Sequence, residues 1–217
     1  IALFKIKKED QNIWGISWMS FFWSSASLMV FAVLPVFLSE ELGISHTKIG
    51  VIEGLAISAS FGTKVLSGFL SDLFRRRKPF ILLGSFLSIL SKPLFALSTG
   101  PYFVLMARFV DRLSKGVRSA PTDAFIADIS SHKNYARSFS LRQCLYTLGA
   151  VFGALCSMVL LYFDSTQFRI IFWLSMIPNV LAIFVFFRHF NLGKENFTKQ
   201  KTSYRINFED FKHVPPF

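Results

Sequence analysis

Residues 108–128 read RFVDRLSKGVRSAPTDAFIAD, and the stretch before them, GPYFVLMA, is apolar enough to begin a membrane span. At about 100° per residue, Arg108, Asp111, Arg112, Lys115 and Arg118 project from a single helical stripe about 120° wide. Four bases and one acid share that face. An ionised side chain at mid-membrane costs at least about 2.5 kcal/mol, so the stripe predicts a partner helix or a watery cavity rather than lipid. The chemistry such a row can do is recognition, because guanidinium groups hold carboxylates or phosphates in bidentate fashion. Asp111 lies three residues after Arg108 and four before Lys115, and it neutralises one of them at most. The competing reading is that the row only holds a bundle together.

Other ionisable groups add to this face. Glu53 and Lys64 are eleven residues apart, so they share a side of one helix at heights about 16 Å apart. Lys92, beside Pro93, is expected to snorkel toward the outer surface, and Arg142 to sit at the inner interface, with both kept as secondary site candidates. Glu53, Asp111 and Asp123 are the candidates for carrying a proton, since a carboxylate in a partly dry cavity with a cation nearby can load and release one. Cys144 and Cys156 are twelve residues apart on one predicted helix, about 18 Å along its axis, beyond disulfide reach. His46, His132, His189 and His213 fall in loops or near interfaces. No metal site and no cofactor are predicted, and no nucleophile with its base can be assembled, which argues against an enzyme.

The elements that must position these residues are membrane spans. Of 217 residues, 52% are hydrophobic and 17% aromatic, too apolar for an ordinary soluble domain. Six runs are long enough to cross a bilayer, at about 13–38, 49–71, 80–97, 102–126, 139–162 and 168–187. No run alternates with period two, which argues against a barrel. The first run is too long for a signal peptide and lacks its cleavage pattern. Short connections (SEELGISHTK, DLFRRRK, STGP, SSHKNYAR, FDSTQ) make the expected fold an all-α six-helix transmembrane bundle over 13–188. It is flanked by a tail, 1–12, and a basic segment, 189–217. The net charge of +11 does not point to nucleic acid, given where it lies. Lys5, Lys7, Lys8, Arg75, Arg76, Arg77, Lys78, Lys133, Arg137, Arg188, Lys194, Lys199, Lys201, Arg205 and Lys212 fall on one side, against Lys48 and Arg169 on the other. By the positive-inside rule both ends are expected in the cytoplasm. Trp14 and Trp18 are expected to anchor the first helix at the headgroups. The sequon at Asn196 lies on the side where it would not be used.

GFLSDLFRRRKP, residues 68–79, resembles the Gly-x-Leu-x-Asp-Arg-x-Gly-Arg-Arg signature of the major facilitator superfamily. Gly68, Leu70, Asp72, Arg76 and Arg77 agree with it, whereas Leu73 stands in place of Arg and Arg75 in place of Gly. The resemblance implies a gating loop of Gly68, Asp72, Arg75, Arg76 and Arg77, with Asp72 facing a helix of a second half. The family's arginine contact would pass to Arg75 or Arg76. Arg112, Gly116 and Ala120 are similar to the family's fourth-helix signature, whose arginine faces the cavity and is tied to proton coupling. DRLSKGVRSAPTDAFIAD further resembles a bacterial subgroup reading Asp-Arg-x-x-Lys-Gly-x-Arg-x-x-Pro-Arg-Asp-Ala, departing at Thr122. LGAVFGALCS is similar to the fifth-helix glycine signature associated with exporters: Gly149 and Gly153 match, and Ala154 replaces proline. Those glycines also read as small residues that let helices pack closely.

The resemblance implies one half of a twelve-helix transporter, with substrate held between two six-helix halves near the midplane. On that footing the chain is expected to be incomplete, with 189–217 leading to a missing C-terminal half; a half that works as a dimer is the alternative. The expected function is secondary transport by alternating access in a bacterial inner (plasma) membrane, without cofactor, as antiporter or symporter. The partners are lipid, protons and a small solute. Arg108, Arg112, Lys115 and Arg118 favour an anionic or anion-bearing substrate. Pro35 and Pro121 are expected to bend their helices for gating or packing. Two rivals remain: an exporter of lipophilic cations that uses Glu53, and a membrane scaffold that kept the fold without transport.

Overall fold

The computed structural model describes residues 8–131, 134–163 and 168–190. Among these the chain forms seven helices: α1 (Lys8–Val36), α2 (His46–Leu73), α3 (Lys78–Ala96), α4 (Pro101–Ile129), α5 (Tyr135–Phe163), α6 (Phe168–Leu174) and α7 (Met176–His189). A π-helical turn, Phe37–Glu41, prolongs α1. No strand occurs among the described residues. The tail 1–7, His132 and Lys133, the 164–167 connection and everything from 191 on, including Asn196 and His213, lie outside the described residues.

Local chemistry explains the boundaries. Pro79 and Pro101 occupy the first turns of α3 and α4, where a missing N–H costs nothing. The α2 terminus closes in a Schellman motif: the Arg76 N–H donates to Ser71 O at 3.2 Å and the Arg75 N–H to Asp72 O at 3.2 Å. Arg75 therefore sits at φ 50°, the left-handed region that favours glycine. This is the position at which the superfamily signature carries Gly. Expected as one helix, the sixth span is two, broken at Ser175, because Pro178 offers no N–H to the Leu174 carbonyl. Pro35 likewise withholds an N–H from the Phe31 carbonyl, and the ladder relaxes into the π turn that follows. Pro121, by contrast, sits inside a helix that continues to Ile129.

Among the described residues five segments are long and apolar enough to cross a membrane: Gln11–Glu41, His46–Leu73, Lys78–Ala96, Tyr135–Phe163 and Phe168–His189. α4 has the length, 29 residues, but its charges set it apart. α1 packs on α5 and α7, while α4 packs on α2 and α3; α3 also meets α6 and α7. Advancing each helix by three, with α6 and α7 taken as one span, maps the first set of pairs onto the second. The bundle is thus two three-helix units, inverted because each holds an odd number of spans. Closest approach falls at glycines. A Cβ on Gly149 would overlap the Phe21 carbonyl of α1, and one on Gly153 the Ser25 carbonyl. On the α2–α4 side, a Cβ on Gly116 would lie 2.7 Å from Ser60 O.

Two apolar cores close the ends of the bundle. One gathers Val33, Phe37, Phe95, Val104 and Phe172. The other, at the end that carries Lys8 and His189, gathers Ile16, Trp23, Ile81, Phe125 and Phe186. Between them buried polar residues cluster on four helices: Ser24 and Ser25 on α1, Ser85, Ser88 and Ser91 on α3, Arg108, Asp111, Ser114, Arg118 and Thr122 on α4, and Ser175 and Asn179 around the break in the last span. The outer faces are the reverse, with Phe61, Val65, Leu148 and Met158 exposed. Such surface belongs against lipid or another apolar partner, since water would leave it uncovered.

Candidate functional site

The charged stripe of α4 lies in this polar layer, with Arg108 and Arg118 almost fully buried. Its N-terminal section is a connected chain of ion pairs. Glu53 of α2 receives Arg108 through two contacts, Nε to Oε1 at 2.6 Å and Nη2 to Oε2 at 2.8 Å. Arg112 Nη2 reaches the same Oε2 at 3.3 Å. One carboxylate thus bridges two guanidinium groups, and at 20% side-chain exposure it is the most accessible member of the group. Arg108 Nη1 stands 3.7 Å from Asp111 Oδ2, one helical turn along. Asp111 Oδ1 in turn accepts from Lys92 Nζ at 2.7 Å and from Ser91 Oγ at 3.2 Å.

Lys92 corrects an expectation. It does not snorkel outward; its side chain is wholly buried and points into the bundle, because Asp111 supplies the counter-charge there. The signal was available in α3, where Ser85, Ser88 and Ser91 recur every three residues and mark the inward face on which Lys92 continues. Arg142 is likewise more than an interfacial residue. It ties α5 to α4 through Nη2 to Asp123 Oδ1 at 2.9 Å. Lys64 is exposed and stays apart from the cluster, although it shares a helix with Glu53.

α4 meets the α1–α5 pair through a different kind of contact. Arg108 and Arg112 both lie over the Phe31 ring, at 5.2 and 5.5 Å from its centroid. Arg118 lies over Trp23 at 4.9 Å, and Lys115 over Tyr146 at 5.8 Å. Cations on aromatic faces, with the Arg142–Asp123 pair, form this seam, whereas the α2–α4 and α3–α4 seams hold carboxylate–cation pairs and the α1–α5 seam packs at glycine. The rings were not anticipated, since no spacing along one chain reveals what lies across a helix interface.

At the end bearing Lys8 and His189, Arg77 takes the contact expected of Arg75 or Arg76. Its Nη1 is 2.9 Å from Asp72 Oδ1, and its Nε pairs with Asp128 of α4. Arg75 is occupied with the helix cap and is exposed, as is Arg76. Gly68 faces Ala120, with 3.3 Å left for a Cβ. The loop, the α3 entry and the α4 exit are thereby linked by one guanidinium and two carboxylates.

Apolar ends, a charged middle and membrane-length helices define a multi-pass membrane protein with a polar interior, the class that includes solute carriers. The chain belongs to the Major Facilitator Superfamily, whose family model matches residues 15–217. It is 26% identical over 201 residues to an uncharacterized MFS-type transporter of Methanocaldococcus jannaschii, covering 93% of this chain and 50% of that protein. It is 29% identical over 154 residues to multidrug resistance protein MdtH of Photorhabdus laumondii, covering 71% of this chain and 37% of that protein. The fold is similar to tetrameric PepTSo2, with a TM-score of 0.75 at 13% identity, over 83% of this chain and 40% of the other. A bacterial homologue of the human drug peptide transporters PepT1 and PepT2 gives a TM-score of 0.71 at 13% identity, over 83% and 41%. The chain spans about half the length, or less, of the relatives it matches.

Proposed function

We propose that this chain forms one six-helix half of a secondary transporter that works by alternating access against a second such half. It moves a small anion-bearing solute across a bacterial inner membrane, coupled to protons, with both ends of the chain cytoplasmic. The observation that carries this reading is the Glu53 bridge between Arg108 and Arg112, set in a polar layer between two apolar ends. A proton placed on Glu53 removes the charge that holds both guanidinium groups. They then need another anion, and a substrate carboxylate or phosphate supplies it. Substrate and proton are linked in this way without contact between them. Asp111 and Asp123, each held by its own base, are the secondary candidates for carrying the proton. The Asp72–Arg77–Asp128 cluster is positioned to act as a latch at the cytoplasmic end, and Gly149 and Gly153 keep α5 rigid on α1. The basic loops on the side of the termini support the orientation. Coverage of about half of each relative supports the second half.

A second reading, export of lipophilic cations, is favoured by the relatives named multidrug resistance proteins. In that case Glu53 leaves the arginines to receive the cargo. The deciding experiment reconstitutes the full-length protein in liposomes, imposes a pH gradient and measures accumulation of radiolabelled organic anions and lipophilic cations. Anion accumulation that Glu53→Gln uncouples from the gradient is the expected result. Accumulation of cations alone overturns the anion reading, and no gradient-dependent flux of either class overturns coupled transport.

A further inference from the structure

Charge neutralisation along α4 is uneven. Arg108 and Arg112 share Glu53, and Lys92 and Arg108 share Asp111, so the N-terminal section is largely satisfied. Arg118 is different. It is 5% exposed, yet no carboxylate lies within salt-bridge distance of it among the described residues. Its Nη1 is buried without a hydrogen-bond acceptor, and so is Nε1 of Trp23, the ring on which the guanidinium rests at 4.9 Å. Lys115, one turn back along α4, meets Tyr146 through both its ring, at 5.8 Å, and its hydroxyl, and has no carboxylate within salt-bridge distance among the described residues. Two cations and an indole donor therefore converge where α4, α1 and α5 meet, about 9 Å along the helix from Arg112. Buried charges are ordinarily paired, and donors this deep ordinarily have acceptors.

The geometry points to an anion subsite built by Arg118 and Lys115, with the Trp23 indole, which takes one carboxylate or phosphate group. This rests on the transport reading above and deepens it: Arg118 gives the anionic group of the solute a station that is free while Glu53 still holds Arg108 and Arg112, which take that group only once Glu53 is protonated. Arg118 supplies the fork that fits two oxygens of one oxyanion, and Lys115 supplies a point charge beside it. The half-buried Lys115 marks the approach to a guanidinium that is itself almost closed off.

The test uses the full-length protein in phosphatidylcholine nanodiscs, with inorganic phosphate and acetate as probes and the melting temperature and titrated affinity as readouts. Stabilisation by at least one probe is expected, weakened about tenfold or more in Arg118→Gln and partly kept in Arg118→Lys. Ligand-free Arg118→Gln should melt at or above the parent temperature, since an unpaired buried charge has been removed, and this doubles as the check that it folds. Loss of probe binding in Arg112→Gln but not in Arg118→Gln overturns the assignment, and so does silence from both probes. A parallel set of nanodiscs containing phosphatidylglycerol separates a lipid headgroup from a free solute: stabilisation only there overturns the solute subsite. Solute flux with unchanged KM in Arg118→Gln also overturns the subsite while leaving alternating access standing. Absence of flux in the parent protein, with probe binding intact, fails the transport reading instead.

Discussion

Asp111→Asn removes one charge and keeps the shape of the side chain, so its effect isolates the electrostatics of the buried network. In the parent protein Asp111 Oδ1 is 2.7 Å from Lys92 Nζ, with the two side chains 6% and 0% exposed, and Oδ2 faces Arg108 at 3.7 Å. Arg108 keeps Glu53 after the substitution, but Lys92 keeps no carboxylate within 4 Å among the described residues. Stranding a buried charge in this way costs about 3–5 kcal/mol. The chain has one escape, which is to release the lysine proton. For an ordinary lysine with a reference value near 10.4 at pH 7, that costs about 4.6 kcal/mol at about 1.36 kcal/mol per unit, so the loss is capped near the top of the same range. Adding Lys92→Met removes the stranded cation and fills the space with a flexible apolar chain. The double variant should therefore recover at least about 2 kcal/mol relative to Asp111→Asn alone, a coupling that distant, independent sites do not show. The assay is reversible unfolding of the full-length protein in bicelles by titrated dodecyl sulfate, run as a double-mutant cycle. A loss below about 1 kcal/mol for Asp111→Asn, or a double variant no better than the single one, would refute the claim that this pair neutralises the core.

Two further effects follow from the backbone. Arg75→Gly should stabilise the protein by roughly 0.5 kcal/mol or more, because a left-handed conformation costs an L-residue about 1–2 kcal/mol and glycine's extra freedom in the unfolded chain returns part of it; a fall in thermal stability would contradict the Schellman assignment. Gly149→Ala should cost about 1–3 kcal/mol by forcing α5 off the Phe21 carbonyl, whereas Gly62→Ala, with nothing within 4 Å of its Cβ, should gain up to about 1 kcal/mol from helix propensity. Equal effects at the two glycines, read as melting temperatures in detergent, would show that close helix packing is not what selects glycine at position 149.

What could be read in advance, and what could not, divides along a physical line. Membrane class, helical fold and the shared face of Arg108, Asp111, Arg112, Lys115 and Arg118 all follow from periodicity and composition, which are properties of one chain segment at a time. The break at Ser175 was only half within reach: Pro178 marks where the ladder loses a donor, but Pro121 sits in a helix that runs on unbroken, so proline alone does not decide. Pairing was not. That Glu53 holds Arg108 and Arg112 while Lys92 turns inward to Asp111 depends on which helices adjoin and at what height, and nothing in the spacing of α4 ranks one base above another. The arginine of the α2–α3 loop illustrates the same limit, because Arg75 is taken up by the Schellman turn and Arg77 makes the Asp72 contact.

This limit has a consequence for function. Along the α4 stripe the bases look equivalent in sequence, yet the fold sorts them into neutralised and unneutralised groups. Arg108 and Arg112 gain an anion from α2, and Lys92 draws one from α4. Arg118 and Lys115 receive no carboxylate within salt-bridge distance among the described residues: Arg118 rests on the Trp23 face, and Lys115 on the ring and hydroxyl of Tyr146, contacts that attract a cation without cancelling its charge. A charge left uncancelled inside a membrane protein costs stability continuously, so a fold that keeps one holds free energy available for whatever anion arrives. The asymmetry between the two ends of the stripe is therefore where binding and proton handling can be separated. Under the coupling proposed above, one end would release its arginines on protonation of Glu53, while the other offers its cations without that step.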